Sequence, residues 1–300
     1  LVQTRNFLKI LSGFCPVLRG MDAFAEHLIT TTGDAVQDRP LAELGGKGLF
    51  AKEIHEALAD GRIDFAVHSL KDLETHLPPD IVLACTLKRE DARDVLIPGP
   101  RCHPADPSDP LSALPQGAVI GTCSVRRQSQ LLAARPDLKI VMLRGNVQTR
   151  MSKLREGQFD ATILALAGLR RLGMDVPGAL ILEPSVMVPS AAQGIVGITV
   201  RAKDTALREL LAAIEDPEAR AVSSAERALL SVLDGSCRTP IGGYAYVTEG
   251  ELRLTGMVAR EDGSFLITRN ITGALSNAVG LGRTLGAELR ALTPSDILVG

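Results

Sequence analysis

Tryptophan is absent from this 300-residue chain, and aromatic side chains make up only 3% of it. So few ring faces argue against a nucleic-acid platform built on base stacking, and a formal net charge of −2 argues against a broad basic surface. Metal-ligand patterns are missing too. The five histidines form no H-x-x-x-H pattern, and the five cysteines (Cys15, Cys85, Cys102, Cys123, Cys237) are scattered, odd in number and without a C-x-x-C pair. That spacing disfavours a disulfide framework and a structural zinc site. No run of eighteen apolar residues occurs, and the opening LVQTRNFLKILSGFC lacks the charged start, long apolar stretch and cleavage site of a signal peptide. The chain opens on Leu1 rather than Met, as a processed or incomplete chain would. The expectation is a metal-free, thiol-containing cytoplasmic protein that engages neither membrane nor nucleic acid and is long enough for more than one domain.

What is present is a repeated alternation of helical and strand-like apolar patterns. Phe50, Ile54, Ala57 and Leu58 share one helical face over residues 48–59, and Gly61 supplies a stop. Residues 63–67, 118–121, 139–143 and 159–164 read as short buried strands. Helices are expected from about Ser124 to Pro136 and, behind an Asn146 cap, over residues 147–156. This succession implies largely parallel sheets covered by helices. The Pro-rich stretch 98–115 reads as a linker between two such units. Beyond Arg238 the pattern turns to antiparallel strands at 244–247, 251–259 and 264–270, with Asp262-Gly263 as a hairpin turn and a helix near 278–292. Two α/β domains and a smaller α+β domain are expected, with Cys237 at the start of the third.

Charge is concentrated locally. Between Gly121 and Arg155 lie Arg126, Arg127, Arg135, Lys139, Arg144, Arg150, Lys153 and Arg155 against one acid, Asp137. A solvated helix face accounts for Arg135, Lys153 and Arg155. Arg126, Arg127 and Arg144 differ because each closely follows a strand pattern, AVIGTCSVRR or KIVMLRGN. Ligand crevices form at such strand ends, helix N-termini near Ser124 and Asn146 would add N–H donors, and the arginine fork suits carboxylates or phosphates. A polyanionic ligand is expected there. The segment FAVHSLKD delivers His68, Ser69, Lys71 and Asp72 to the same kind of edge. An aspartate among cations stays ionised and can stabilise a developing cation or move a proton; a helix-capping Asp beside a surface Lys is the alternative. GGKGLF could cradle an anion but is not a P-loop. The turn DGSCRTPIGG leaves Cys237 in polar surroundings without a pairing partner, as a thiol open to a crevice.

The ordered set TTGD (31–34), LGGKGLFAKE (44–53), DFAVHSLKD (64–72), REDARD (89–94), GTCSVRRQ (121–128), LRGNVQTR (143–150), ILALAGLRRLG (163–173), PSAAQGIVGI (189–198) and DGSCRTPIGGY (234–244) resembles the porphobilinogen deaminase (hydroxymethylbilane synthase) family. The resemblance implies a transferase of porphyrin, tetrapyrrole and heme biosynthesis. It would join four porphobilinogen molecules into hydroxymethylbilane and release ammonia at each step. It implies a dipyrromethane cofactor held by a thioether to Cys237, and Asp72 as the catalytic carboxylate. Cofactor contacts would come from Ser69, Lys71, Asp72, Thr122, Ser124, Arg126, Arg127, Arg144 and Gln193. Substrate carboxylates would be bound by Arg126, Arg127, Arg144, Arg150, Arg171 and Lys47, with no metal.

The implied fold is two periplasmic-binding-protein-like α/β domains (1–88 with 192–213, and 89–191) plus a small C-terminal α+β domain (214–300), acting as a cytoplasmic monomer. Three departures from the family pattern stand out. The first strand, ending in a T-R-x-S-x-L-A segment, has no clear counterpart, and VQTRNFL (2–8) looks like the helix that follows it. The chain is therefore expected to start after that strand or to have lost it, with its Arg and Ser. Cys123 stands where Ser is common, and Glu74, where Pro is usual, adds negative charge near the anion site. The alternatives are a truncated, low-activity or inactive member of the family and a periplasmic-binding-protein-like anion-binding module. The second gives no reason for a third domain that presents a cysteine.

Overall fold

A computed structural model describes residues 2–19, 23–31, 51–106, 108–233 and 239–298. Its first described element is a helix, α1 (Val2–Phe14), buried through Phe7 and Leu11. Then come α2 (Lys52–Ala59), β1 (Phe65–Ser69) and β2 (Ile81–Thr86). The chain continues through β3 (Asp94–Pro98), β4 (Val119–Gly121), α3 (Val125–Ala134), β5 (Lys139–Val141), α4 (Val147–Arg155), β6 (Ala161–Ala165), α5 (Leu166–Arg171) and β7 (Leu180–Leu182). It returns through β8 (Val196–Arg201), α6 (Thr205–Ala212) and α7 (Pro217–Val232). It ends with β9 (Ile241–Thr248), β10 (Glu251–Ala259), β11 (Leu266–Ala274) and α8 (Ala278–Leu292).

The described strands form three sheets, ordered β1–β8–β2, β5–β4–β6–β3–β7 and β11–β10–β9. Parallel pairing, expected for most of the α/β part, is confined to β5, β4 and β6. β3 runs antiparallel to β6 and β7, and the first sheet is antiparallel throughout. The route of the chain explains this. β2 runs out towards the second sheet and β8 comes back from it, so the two lie side by side in opposite directions. Their pairing extends beyond the sheet, where Leu87 N–H donates to Val196 O and Glu90 N–H to Gly194 O, each at 3.0 Å.

The stretch 98–115 is not a linker between units. Pro98 ends β3, Gly99 N–H donates to Asp160 O at 2.7 Å, and a 3₁₀ turn (Pro110–Ala113) buries Leu111 in the core of the second sheet, beside Ile120 and Leu131. Its prolines shape a connection inside one unit. The chain crosses between the two sheets at residues 87–93 and again at 189–195.

Local chemistry sets the helices. Ser124 caps α3 by accepting from Arg127 N–H, Asn146 caps α4 by accepting from Thr149 N–H, and Asp216 caps α7 with Pro217 at its first position. In the third unit α7 and α8 cover the β9–β10–β11 meander and pack on each other at very short range. A Cβ on Gly282 would lie 2.1 Å from Ala225 O. The core of this unit takes in Leu70 and Leu73 of the first unit and Ala192 and Ile195 of the return crossing. Along β1, whose partner among the described residues is β8, an apolar slot of about 510 Å³ is lined by Leu8, Leu11, Phe24, Leu28 and Phe65, among others.

One buried ion pair ties the crossings to the third unit. Glu226 of α7 is fully buried; its carboxylate accepts from Arg89 Nη1 at 2.6 Å, from Ala245 N–H at 2.6 Å and from Ala192 N–H at 2.5 Å. Arg89 also donates to Gln193 O at 2.9 Å and to Ala245 O at 3.0 Å. Ala192 is held at φ 61°, a left-handed conformation that these contacts maintain. Glu226→Gln leaves the Arg89 charge uncompensated, and the expected loss is about 3–5 kcal/mol of unfolding free energy in a urea titration. A loss below about 1 kcal/mol, the range of a surface pair, would contradict this role.

Candidate active site

The segment that carries Asp72 leaves β1 as a 3₁₀ turn, Leu70–Asp72. Buried Leu70 and Leu73 anchor it on either side, Leu70 N–H donates to Ile195 O at 3.0 Å, and Asp72 itself is exposed. Lys71 is half-buried and points to the return crossing, where its Nζ donates to Gln193 Oε1 at 3.3 Å. Burial lowers the pKa of its ammonium, against the pull of neighbouring Asp72.

Gln193 is 1% exposed and its amide reaches into the second unit, donating to Ala92 O at 2.7 Å and to Asp94 Oδ1 at 3.0 Å. Asp94 also accepts from Arg127 Nη2 at 2.8 Å, and Arg126 Nη2 lies 2.8 Å from its other oxygen. Arg126 and Arg127 are 5% and 6% exposed. Arg126 Nη1 donates to Val188 O at 2.7 Å and Arg127 Nη1 to Ile163 O at 2.8 Å. Lys71, Gln193, Arg126 and Arg127 therefore belong to one connected network, and Asp94 is its centre.

The remaining arginines lie on adjoining elements. Arg150 of α4 donates through Nε to Gly145 O at 2.8 Å, and its Nη2 is 4.0 Å from Cys123 Sγ. Burial lowers its pKa, and Arg144 lies close enough to add to the shift. Arg171, at the end of α5, donates to Gly194 O at 2.5 Å and is likewise lowered by burial. Arg144 is half-buried between β5 and α4. Burial also lowers Arg126, although Asp94 opposes this. Arg127 and Arg144 lie near Arg150, and Arg126 and Arg127 near Lys71, a group of part-buried cations that favours an incoming anion, whereas the charged neighbour of Arg171 is Glu90.

Other predicted residues have local work. Ser69 Oγ accepts from Gln3 Nε2 of α1 at 2.8 Å. Thr122 Oγ1 accepts from Ser124 N–H at 3.1 Å, and Ser124 caps α3, so both hydroxyls hold the turn that aims Arg126 and Arg127. Arg135 is not on a solvated face: it pairs with Asp137 and donates to the carbonyls of Leu111, Leu114 and Pro115. Glu74 is held against His55. Its carboxylate lies 3.1 Å from His55 Nδ1; burial works against its ionisation, and the His55 hydrogen bond with a backbone N–H outweighs it, so its pKa falls. Lys47, Cys237 and most of TTGD and LGGKGLF lie outside the described residues. Sequence reasoning missed Asp94 as a site residue. REDARD contains it, but nothing in the string says that a strand's first carboxylate faces an arginine pair 33 residues away.

Comparison with known proteins decides the family. Residues 1–209 match the family described as "Porphobilinogen deaminase, dipyromethane cofactor binding domain", and residues 221–291 match "Porphobilinogen deaminase, C-terminal domain". The chain belongs to the porphobilinogen deaminase family. It is 47% identical to the porphobilinogen deaminase of Roseiflexus sp. (strain RS-1) over 96% of this chain and 91% of that protein. It is 48% identical to that of Paracoccus denitrificans (strain Pd 1222) over 98% and 90% of the two chains. Among solved structures, the Bordetella pertussis BvgS VFT2 domain is similar at 15% identity and a TM-score of 0.37, covering 75% of this chain and 83% of that one. As a family member the protein is a transferase that synthesises hydroxymethylbilane from porphobilinogen for tetrapyrrole biosynthesis, using a dipyrromethane cofactor.

His68, expected at the ligand edge, is instead buried, with its Nε2 hydrogen-bonded to Thr199 Oγ1 at 2.8 Å. Burial, with the positive potential of His55, pulls its pKa from 6.5 down to about 4. An unfolded chain takes up this proton below pH 6.5 while the folded one stays neutral to about pH 4, so stability falls as pH drops through that window. The expected loss is on the order of 3 kcal/mol, read by urea unfolding. His68→Gln should remove that part of the slope, and an unchanged slope would exclude His68 as its source.

Proposed function

We propose that Asp72 is the catalytic carboxylate and that Cys237 carries the dipyrromethane through a thioether. In the same reading Lys71, Arg126, Arg127, Arg144, Arg150 and Arg171, with Lys47, bind the acetate and propionate groups of cofactor, substrate and growing chain. The observation that carries it is the network itself: in a chain of net charge −2, a lysine next to an exposed aspartate is wired through one glutamine to a buried arginine pair. Its donors suit a carboxylate-bearing group. Arg127 Nε is buried and has no acceptor among the described residues.

When bound, the dipyrromethane supplies the pyrrole end to which the first unit is joined. The chain's own residues do the rest. Lys71 and the arginines hold the carboxylates of each pyrrole and so orient its aminomethyl carbon. The C–N bond of the protonated aminomethyl group breaks with its electron pair leaving on ammonia, and the positive charge left on the pyrrole is balanced by the Asp72 carboxylate. Joining each unit releases a ring-carbon proton, which Asp72 would accept. The division into 1–88 with 192–213, 89–191 and 214–300 is part of this reading, supported by the three sheets and the two crossings. Ser69, Thr122, Ser124 and Gln193 serve it as lining and positioning groups. No described helix is long and apolar enough to cross a membrane. A cytoplasmic monomer, the state that the resemblance implies, completes the reading.

Intact-mass measurement of the purified protein tests the attachment. An adduct of two pyrrole units that disappears in Cys237→Ser is expected, and an adduct that persists would move the attachment elsewhere. Asp72→Ala should keep the parent's unfolding midpoint and release ammonia from porphobilinogen at least about a hundredfold more slowly. Turnover near the parent rate would remove Asp72 from the role.

A further inference from the structure

Asp94 opens β3, at the point where the outgoing crossing becomes sheet, and is fully buried. An ionised carboxylate in such a place is unfavourable unless cations oppose it, and here two do. Burial raises its pKa, but Arg126 and Arg127 outweigh that and hold the carboxyl well below the usual carboxylate range. Oδ1 accepts from Arg127 Nη2, while Oδ2 pairs with Arg126 Nη2 at 2.8 Å without hydrogen-bond geometry, so one carboxylate lies between both guanidiniums.

The same carboxylate, together with Ala92 O, fixes which way the Gln193 amide points. An ionised Asp94 only accepts, so Gln193 must turn its NH₂ to it, which leaves Oε1 for the Lys71 ammonium, itself only a donor. Were the amide reversed, Oε1 would face a carboxylate and NH₂ an ammonium, and both contacts would repel. The orientation of an acceptor beside catalytic Asp72 is thus imposed from the other unit, across the return crossing.

We propose that Asp94 is the positioning carboxylate of the anion-binding bed, presetting the Arg126 and Arg127 guanidiniums and, through Gln193, the Lys71 ammonium for the carboxylates of the pyrrole units. Asp94 itself touches no substrate. The inference rests on the reading above, in which these cations bind substrate carboxylates.

The test compares holoenzymes of the parent, Asp94→Asn, Arg127→Leu and the double variant, by steady-state kinetics with porphobilinogen and by intact mass of the covalently loaded protein. Asp94→Asn should raise KM about tenfold while kcat stays within about threefold, because a charge-assisted contact is lost but the Asp72 turn is not. The loaded population should shift to fewer pyrrole units. The double variant should lose less than the two single effects combined, since part of Asp94's action runs through Arg127. A folded Asp94→Asn enzyme with the parent's KM and mass distribution overturns the proposal, and so do additive effects in the double variant. Parent-like behaviour of Arg127→Leu removes the carboxylate-binding reading instead. A stalled Arg127→Leu beside an unaffected Asp94→Asn removes only the role of Asp94. If Asp94→Asn does not fold, Asp94→Glu, which keeps the charge but moves it, decides by the same KM comparison. A parent-like KM there, or failure of both variants to fold, also overturns the proposal.

Discussion

Glu226 sits fully buried against two passages of chain, and the Arg89 guanidinium balances its charge there. Its two oxygens also collect backbone N–H groups from the return crossing, at Ala192, and from the third unit's sheet, at Ala245. Leu70, next to Lys71 and Asp72, hangs from Ile195 of the same crossing, and Gln193 is its next residue but one. The geometry of the site is therefore only as well defined as this pair. A buried ion pair contributes little net stability compared with apolar packing. What it supplies here is directional: hydrogen bonds of fixed geometry tie both crossings to the third unit, beside the shared core around Leu70, Ala192 and Leu229.

Arginine recurs at the crossings for a physical reason. Two passages between sheets cannot satisfy all their backbone carbonyls on each other, and a buried carbonyl without a donor is costly. Arg126 serves Val188 O, Arg89 serves Gln193 O and Arg171 serves Gly194 O. With five donors in a planar fork, arginine can hold a carbonyl and still present N–H groups elsewhere, which lysine's compact ammonium does less well. Arg89 and Arg171 thereby also tie the return crossing to the second unit. Asp94 completes the arrangement by keeping two adjacent guanidiniums compatible with burial.

Legibility followed the range of the interaction. The caps at Ser124 and Asn146, β10 at Glu251–Ala259 and α8 at Ala278–Leu292 were readable because each depends on neighbours a few residues away. Arg126 and Arg127 stood out because they follow a strand and precede a helix. Parallel pairing was misjudged for the first sheet because β8 arrives from more than a hundred residues beyond β2. The stretch 98–115 looked like a linker because proline marks a turn equally well inside a domain and between domains. Arg135 looked solvated because the carbonyls it serves belong to a distant turn.

Residue order by itself determined the family, the cationic character of the site and the candidates Asp72, Lys71, Arg126 and Arg127, because these rest on local patterns and on the sum of charges. Only the tertiary structure decided which cations converge, which carboxylate holds them and which way Gln193 points. Those outcomes arise where two crossings bring β3, α3 and the Lys71 turn within hydrogen-bonding distance, and no short segment encodes that meeting.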